Sequence, residues 1–206
     1  MPSAVQICSN ALLMLGAGPI NSFTEADTTG SGLDRARLAS NLYPSVQAAV
    51  LRSHPWNCAT SRVILSPLSI VPAYGYSFQY QLPTNWLRTL AVGQYETDRL
   101  SYRTEGQSIL FNDNPLYLTY LFLNLVETTY DAALIYALEL KMASVMAYGL
   151  TKSTSLKTQM ENEFQLALKS ARTSDGQDDP PETLGDFPML QSRFTHSGFG
   201  IKGVDF

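Results

Sequence analysis

The sequence predicts an α+β fold: an antiparallel helical bundle of about four helices, with a small antiparallel β unit inserted between its halves and an extended C-terminal arm. Apolar residues recur at helical spacing near both ends of the chain, whereas in the middle third they alternate with polar residues. After Arg172 a run rich in Asp, Gly and Pro interrupts every regular pattern. These changes divide the chain into N-terminal bundle helices (residues 1–57), the β insertion (58–126), C-terminal bundle helices (127–173) and the arm (174–206).

The first helix is expected from about Ser3 to Leu15. Ser3 and Gln6 have the spacing of a capping box, in which the serine hydroxyl accepts a hydrogen bond from the N–H three residues later. Gly16 offers a left-handed residue that can end the helix.

The second helix is expected over residues 33–53. Its apolar stripe comprises Leu38, Leu42, Val46, Ala49 and Val50. Pro44 lies inside this stretch and removes one backbone donor, so we expect a kink or a break near Asn41. His54-Pro55 ends the helix, because the residue before a proline is pushed out of the α region.

Strands are expected in residues 58–126, where the apolar repeat changes to two. The clearest alternation sets Tyr76, Phe78, Tyr80 and Leu82 against Ser77, Gln79 and Gln81. Further strands are expected at Leu87–Val92, Ser108–Phe111 and Leu116–Phe122, with Glu105-Gly106 among the turns that separate them.

Helical spacing returns after the β unit. The third helix is expected over Asp131–Tyr148 and is closed by Gly149; the fourth is capped by Ser153 or Thr154 and runs to about Arg172. In the fourth helix we expect Leu156, Met160, Phe164, Ala167 and Leu168 inward, and Lys157, Glu161 and Lys169 outward. The short link makes the two helices antiparallel neighbours. The expected bundle core is Leu42, Val46, Trp56, Leu134, Leu138, Phe164 and Leu168.

The arm carries apolar side chains that need a surface to pack on. They can dock on the core of their own chain, or on a neighbouring subunit or partner, as strand addition and groove binding do. The residues expected to make this intersubunit or partner contact are Phe187, Leu190, Arg193, Phe194, Phe199, Ile201 and Phe206.

Composition limits the classes of function. The chain has 206 residues, of which 45% are hydrophobic and 16% charged, which is enough for a globular core. Its 14 Lys and Arg residues give a net charge of −4, which argues against a protein that grips nucleic acid. Cys8 and Cys58 are far apart and there are only two histidines, so we expect no disulfide framework, metal site or other cofactor.

No targeting or membrane segment is expected. The N-terminus lacks the features of a signal peptide, and the apolar stretch Leu116–Val126 is too short to span a membrane. The expectation is a soluble protein made inside the cell.

No catalytic site is expected from the residues. His54 lies at a predicted helix end, where packing or interaction with the helix dipole is a better interpretation than a general base. Glu96, Asp98 and Glu105 cluster near turns of the β unit and are the best candidates for a two-carboxylate glycosidase site. The many aromatic residues are mostly expected in the core, although Tyr74, Tyr76 and Tyr80 can instead line a surface where another chain docks.

Several ordered strings resemble the bacteriophage tail tubular protein A family, the head-to-tail adaptors of tailed phages. In the first third they are Ile7-Cys8-Ser9-Asn10-Ala11-Leu12, Leu15-Gly16, Pro19-Ile20-Asn21-Ser22, Leu42-Tyr43-Pro44, Val50-Leu51-Arg52-Ser53-His54-Pro55-Trp56-Asn57 and Arg62. Later they are Leu82-Pro83, Leu87-Arg88, Glu105-Gly106, Ile109-Leu110, Ala147-Tyr148-Gly149-Leu150-Thr151-Lys152-Ser153, Ala167-Leu168 and Ala171-Arg172. The sequence departs from the family at Cys58, where an aromatic residue usually follows the Trp-Asn pair.

The resemblance implies a helical bundle with a β insertion that assembles into a ring of about twelve copies under the portal vertex of the capsid. One face would meet the portal protein and the other the tail nozzle or next tail protein, and the arm would act as a clasp on a subunit or the portal. DNA would cross the central channel without specific binding, in a protein located in the neck of the virion and made in the host bacterial cytoplasm. The alternatives are a tail-associated glycan-degrading enzyme and a head-completion protein that seals the portal.

Overall fold

The computed structural model describes residues 2–25, 34–94 and 100–178, and within these ranges the chain forms four α-helices and six strands. The helices are α1 (Ala4–Met14), α2 (Arg35–Arg52), α3 (Ala132–Thr151) and α4 (Thr154–Asp175). The strands are β1 (Thr60–Leu65), β2 (Phe78–Gln81), β3 (Trp86–Val92), β4 (Arg103–Glu105), β5 (Ser108–Phe111) and β6 (Leu116–Phe122). All of them belong to one unit that ends at Asp175. The predicted α+β class is confirmed.

The helix ends form where the sequence places capping residues. Ser3 Oγ accepts a hydrogen bond from the Gln6 N–H at 3.2 Å, and Gly16 adopts the left-handed conformation with φ +72°. Ser153 Oγ accepts from the Leu156 N–H at 3.2 Å, which confirms one of the two predicted caps of α4. These short-range contacts are the part of the fold that sequence determines most directly.

Of the kink or break expected near Asn41, the break is wrong. α2 continues through Pro44 as one helix from Arg35 to Arg52, and Pro44 itself faces solvent. Tyr43 before the proline and Val46 after it are buried in the same core. Packing on both sides therefore holds the helix together across the missing backbone hydrogen bond.

The buried face of α2 is also turned relative to the predicted stripe. Its buried residues are Ala36, Ala39, Tyr43, Val46, Gln47, Val50 and Leu51. Leu38 and Leu42 pack against the core but are only partly buried, and Ala49 is exposed. Six of the seven residues expected in the bundle core are buried, and Leu42 is the exception.

α3 is the central helix of the bundle. Ten of its twenty residues are buried, and it packs against α1, α2 and α4. By length and composition alone it could span a membrane, but 56% of its apolar window is buried inside the protein, as in a core helix. The predicted stop at Gly149 is wrong, because the helix runs on to Thr151 and Lys152 takes the left-handed conformation that ends it.

α4 continues past the predicted boundary at residue 173 and ends at Asp175, which is buried. The expectation that Glu161 lies on the outer face is wrong, because it contacts α3. Its carboxylate accepts hydrogen bonds from Lys141 Nζ at 2.8 Å and from Ser144 Oγ at 2.8 Å. Burial opposes ionisation, but these donors lower the pKa of Glu161.

The middle of the chain forms two three-stranded antiparallel sheets rather than one unit. The first sheet has the order β1-β6-β3 and the second has the order β2-β5-β4. Sequence alternation predicts β2, β3, β5 and β6, but not β1 or the exposed three-residue β4. Gly106, with φ +57°, makes the tight turn that joins β4 to β5.

The buried apolar side chains of the described residues include one cluster in the helical bundle and one between the two sheets. The first sheet contributes side chains to both. Alternate residues of β6, Leu116, Leu118 and Tyr120, pack in a cluster with Tyr80 and Ile109 of the second sheet. On the opposite face of β6, Leu121 belongs to the core of the helical bundle. Because successive side chains of β6 point to opposite faces of the first sheet, this strand contacts both the bundle and the second sheet.

A buried polar network fixes α2 to the segment that leads into α3. Gln47 Nε2 donates to Tyr130 Oη at 2.9 Å and to Glu127 Oε1 at 3.3 Å, and Tyr43 Oη donates to the same carboxylate oxygen at 3.2 Å. Asn124 Nδ2 donates to the Cys58 carbonyl at 2.7 Å. Because unsatisfied buried polar groups are costly, this network specifies how α2 sits beside the entry to α3.

Truncating the centre of α3 should destabilise the whole fold. We expect Leu138→Ala to lower the free energy of unfolding by about 2–5 kcal/mol, because it leaves a cavity in the shared core. Leu166→Ala, at a residue of α4 that is 72% exposed, should change it by less than about 0.5 kcal/mol. Urea denaturation of both variants measures the difference, and equal losses would contradict the central position of α3.

Glu139 of α3 is a buried carboxylate whose charge should cost stability at neutral pH. Burial raises its pKa above the ordinary 4.5, although Asn10 Nδ2 donates to it at 2.7 Å and opposes the rise. Glu139→Gln keeps an acceptor for Asn10 and removes the charge, so its unfolding temperature should exceed that of the wild type at pH 7.

The advantage of Glu139→Gln should depend on pH. A group with a raised folded-state pKa loses its stabilising contribution as the pH rises through that pKa, so the two proteins should converge below pH 4.5. Glu105→Gln, at an exposed carboxylate, is the control. Thermal unfolding followed by circular dichroism from pH 4 to pH 8 checks this, and a gain that does not change with pH would refute the explanation.

Candidate interaction surface

The residues predicted to make the arm contact lie outside the described residues. They are Phe187, Leu190, Arg193, Phe194, Phe199, Ile201 and Phe206. Glu96, Asp98 and His196 also lie outside them. The surface that the structure does describe is elsewhere, on the β unit.

The most conspicuous exposed apolar feature of the described ranges is the loop that joins β1 to β2, residues 66–77. It contains no charged residue. At its tip Ile70 is 66% exposed, Val71 is 69% exposed and Tyr74 is 88% exposed. Neighbouring apolar side chains in contact with water commonly mark an interaction site.

Local contacts at both ends hold this loop in place. The Leu68 N–H donates to the Gln79 carbonyl of β2 at 2.7 Å, and the Ser77 N–H donates to Asn112 Oδ1 at 3.0 Å. Gly75, with φ +84°, supplies the reversal before β2. The apolar tip is therefore presented on a backbone that the second sheet anchors.

The loop forms one wall of a groove of about 410 Å³. The other wall comes from the second sheet and includes Gln79, Arg103, Glu105 and Leu110. Arg103 Nε lies 3.1 Å from Glu105 Oε1, and both side chains are mostly exposed. We call Ile70, Val71, Tyr74 and this groove the loop surface; it offers apolar contact with one ion pair at its rim.

The three tyrosines proposed as a docking surface are not together on it. Tyr74 is exposed and Tyr76 is partly buried beside the groove. Tyr80 is fully buried between the sheets, and its hydroxyl donates to the Asp113 carbonyl at 2.6 Å. The alternative that placed Tyr80 on a docking surface is therefore wrong, and Tyr80 packs in the apolar cluster between the sheets, as expected for most of the aromatic residues.

A cluster of polar and aromatic side chains lies where the C-terminal ends of α2 and α4 meet. The Asn57 N–H donates to the Asp175 carboxylate at 3.2 Å, and Asn57 Nδ2 donates to the Asp175 carbonyl at 3.0 Å. His54 Nε2 lies 3.4 Å from Asp175 Oδ2, and its ring packs edge-on against Trp56 with 4.7 Å between centroids. His54 therefore packs at the helix end, as the sequence predicts.

The electrostatics of this cluster do not favour nucleophilic chemistry. Burial lowers the pKa of His54, Asp175 opposes the change, and Arg172 and Arg88 add to it. Burial together with Asp175 raises the pKa of the Cys58 thiol to about 11. The nearby thiol is therefore protonated at neutral pH and is a weak nucleophile.

The second cysteine, possible metal ligands and Glu105 are the other features with candidate chemistry in the described ranges. Cys8 is buried, and burial raises the pKa of its thiol to about 12. The described residues contain no group of three or more His, Cys, Asp or Glu side chains that could hold a metal ion. Glu105 pairs with Arg103, so the one described member of the proposed carboxylate group is in a surface ion pair.

Comparison with known proteins assigns no family. No protein-family model matches the chain, and no curated protein matches it. The resemblance to the tail tubular protein A family therefore stays a prediction from the sequence.

Sequence periodicity does not reveal the loop surface. Residues 66–75 have neither helical nor alternating spacing, and the predicted strand alternation begins only at Tyr76. The available signal is a stretch rich in Pro and Gly that nonetheless carries Ile70, Val71 and Tyr74 and no charge. Loops are usually polar, so an uncharged apolar loop indicates a contact.

Proposed function

We propose that this protein is a structural head-to-tail adaptor of a tailed bacteriophage. In this proposal it forms a ring of about twelve copies that joins the portal protein to the tail nozzle or next tail protein, and DNA passes through the ring. It acts through contacts rather than catalysis. It belongs to the neck of the virion and is made in the host cytoplasm.

The observation that carries the proposal is the agreement between the architecture and the fold that the resemblance implies. Both are a helical bundle with an antiparallel β unit between its second and third helices. The strongest motif, His54-Pro55-Trp56-Asn57, also has a local role in this architecture. Trp56 is 1% exposed, and Asn57 holds the end of α4 through Asp175.

The loop surface supports an assembling role. It is apolar and uncharged at its tip, and it projects from an anchored strand connection rather than from the bundle core. A contact between this surface and a different patch on the next subunit would be heterologous, and such contacts close into rings when the rotation permits. The arm residues Phe187–Phe206 remain a predicted second contact, with a subunit or with the portal.

Replacing the tip of the loop surface should weaken assembly without unfolding the chain. Each apolar side chain that becomes fully buried contributes roughly 1.5–3 kcal/mol, so Ile70→Ser with Val71→Ser should weaken the contact at least about tenfold. Mass photometry of the purified chain, mixed with the portal protein of the same phage, measures the fraction in rings over a concentration series.

Leu166→Ser is the control for this experiment, because Leu166 is equally exposed but lies on α4. We expect the control to assemble like the wild type. Failure of the wild-type chain to form rings with or without portal protein would refute the adaptor proposal. Equal losses in the loop variant and the control would refute the role of the loop surface and leave the adaptor proposal standing.

A further inference from the structure

The negative net charge of the chain conceals an uneven distribution. Residues 35–94 contain five arginines and no Asp or Glu. The remaining residues therefore carry −9, since the whole chain carries −4 with neutral histidines. Such an uneven distribution of charge along one sequence indicates a local basic surface.

The structure gathers part of this positive charge where three elements meet. Arg52, at the end of α2, donates to the Leu87 carbonyl of β3. Arg172, near the end of α4, donates from its terminal nitrogen to the Ser53 carbonyl at 3.2 Å. Both hydrogen bonds go to neutral carbonyl groups and so leave the guanidinium charges in place.

Arg88 and Lys169 extend this cluster. Arg88 follows Leu87 in β3, and both Arg88 and Arg172 act electrostatically on His54. Lys169 lies one turn before Arg172 on α4 and lines the same shallow groove. We call Arg52, Arg88, Lys169 and Arg172 the basic corner.

Helix dipoles and Asp175 compensate only part of the charge of the basic corner. The C-terminal ends of α2 and α4 contribute about half a negative charge each, and Asp175 contributes one. Against four cationic side chains this leaves roughly +2. Arg88 belongs to a strand, so compensation of a helix end does not explain it.

We propose that the basic corner binds the phosphate backbone of double-stranded DNA. Neighbouring cations from three elements suit a row of phosphates, and two of these elements, α2 and β3, contain no Asp or Glu. The negative charge elsewhere does not prevent this, because charges beyond a Debye length of about 10 Å at 0.1 M salt are largely screened. A local contact of this kind differs from the firm grip on nucleic acid that the net charge argues against.

The contact is weak, independent of sequence and strongly dependent on salt, as phosphate contacts are. This DNA contact rests on the proposed function and deepens it. DNA that crosses the adaptor ring must slide through it, and a weak contact allows that movement. A ring repeats the corner once per subunit, and many weak contacts can guide a moving duplex. DNA binding by the isolated chain is measured separately from ring formation, so each proposal can fail alone.

The test is fluorescence anisotropy of a labelled 30-base-pair duplex, titrated with the full chain at several salt concentrations. Arg88→Gln with Lys169→Gln removes two charges from the corner, and Arg37→Gln with Lys157→Gln removes two exposed charges elsewhere. We expect the slope of log Kobs against log salt to shrink by about 1.8 in the corner variant, because each phosphate that the protein neutralises adds about 0.9 to the slope. The control should keep the wild-type slope.

A measurement on the wild-type chain keeps the test independent of how the variants fold. Bound duplex should protect Lys169 from acetylation and leave Lys157, about 18 Å away along α4, unprotected. Absence of duplex binding at 50 mM salt, equal slopes in the two variants, or no protection of Lys169 would each overturn the proposal. Corner-dependent binding of polyglutamate, with none of duplex, would assign the corner to an acidic protein and also overturn it.

Discussion

The fold depends on the burial of α3. This helix is apolar on most of its circumference, so it is stable only when α1, α2 and α4 cover it. Its neighbours are amphipathic and each supplies one apolar face. The β unit attaches to this arrangement through Leu121 of β6 and through Trp56, in the turn between α2 and β1, and both residues belong to the core of the bundle.

Polar contacts decide how these apolar surfaces are aligned. Gln47 and Asn124 fix the segment before α3, and Asp175 joins the end of α4 to the turn after α2. Hydrophobic burial alone tolerates sliding, whereas hydrogen bonds between buried groups have few acceptable geometries. The basic corner lies at this same junction of α2, α4 and β3. One junction therefore holds the bundle together and also carries the positive charge that we assign to DNA binding.

Much of the fold is predictable because it depends on short-range patterns. Ser3, Ser153 and Gly106 act through neighbours in sequence, and the alternation in β6 is regular. Tertiary packing determines the rest: α2 stays intact across Pro44. The loop surface and the basic corner are not predictable in this way. The first lacks periodicity, and the second joins residues from positions 52 to 172 that only the folded chain brings together.

The central claim is that α3 holds the chain together while the loop surface remains to be covered on assembly. Hydrogen exchange followed by mass spectrometry, on the free chain and on the ring bound to portal, tests it most directly. In the free chain the amides of α3 should exchange slowest among the described elements, and those of residues 69–76, between the two anchoring hydrogen bonds of the loop, should exchange much faster. Assembly should protect residues 69–76 and leave α3 unchanged; new protection confined to the helices, with residues 69–76 still exchanging freely, would contradict the account.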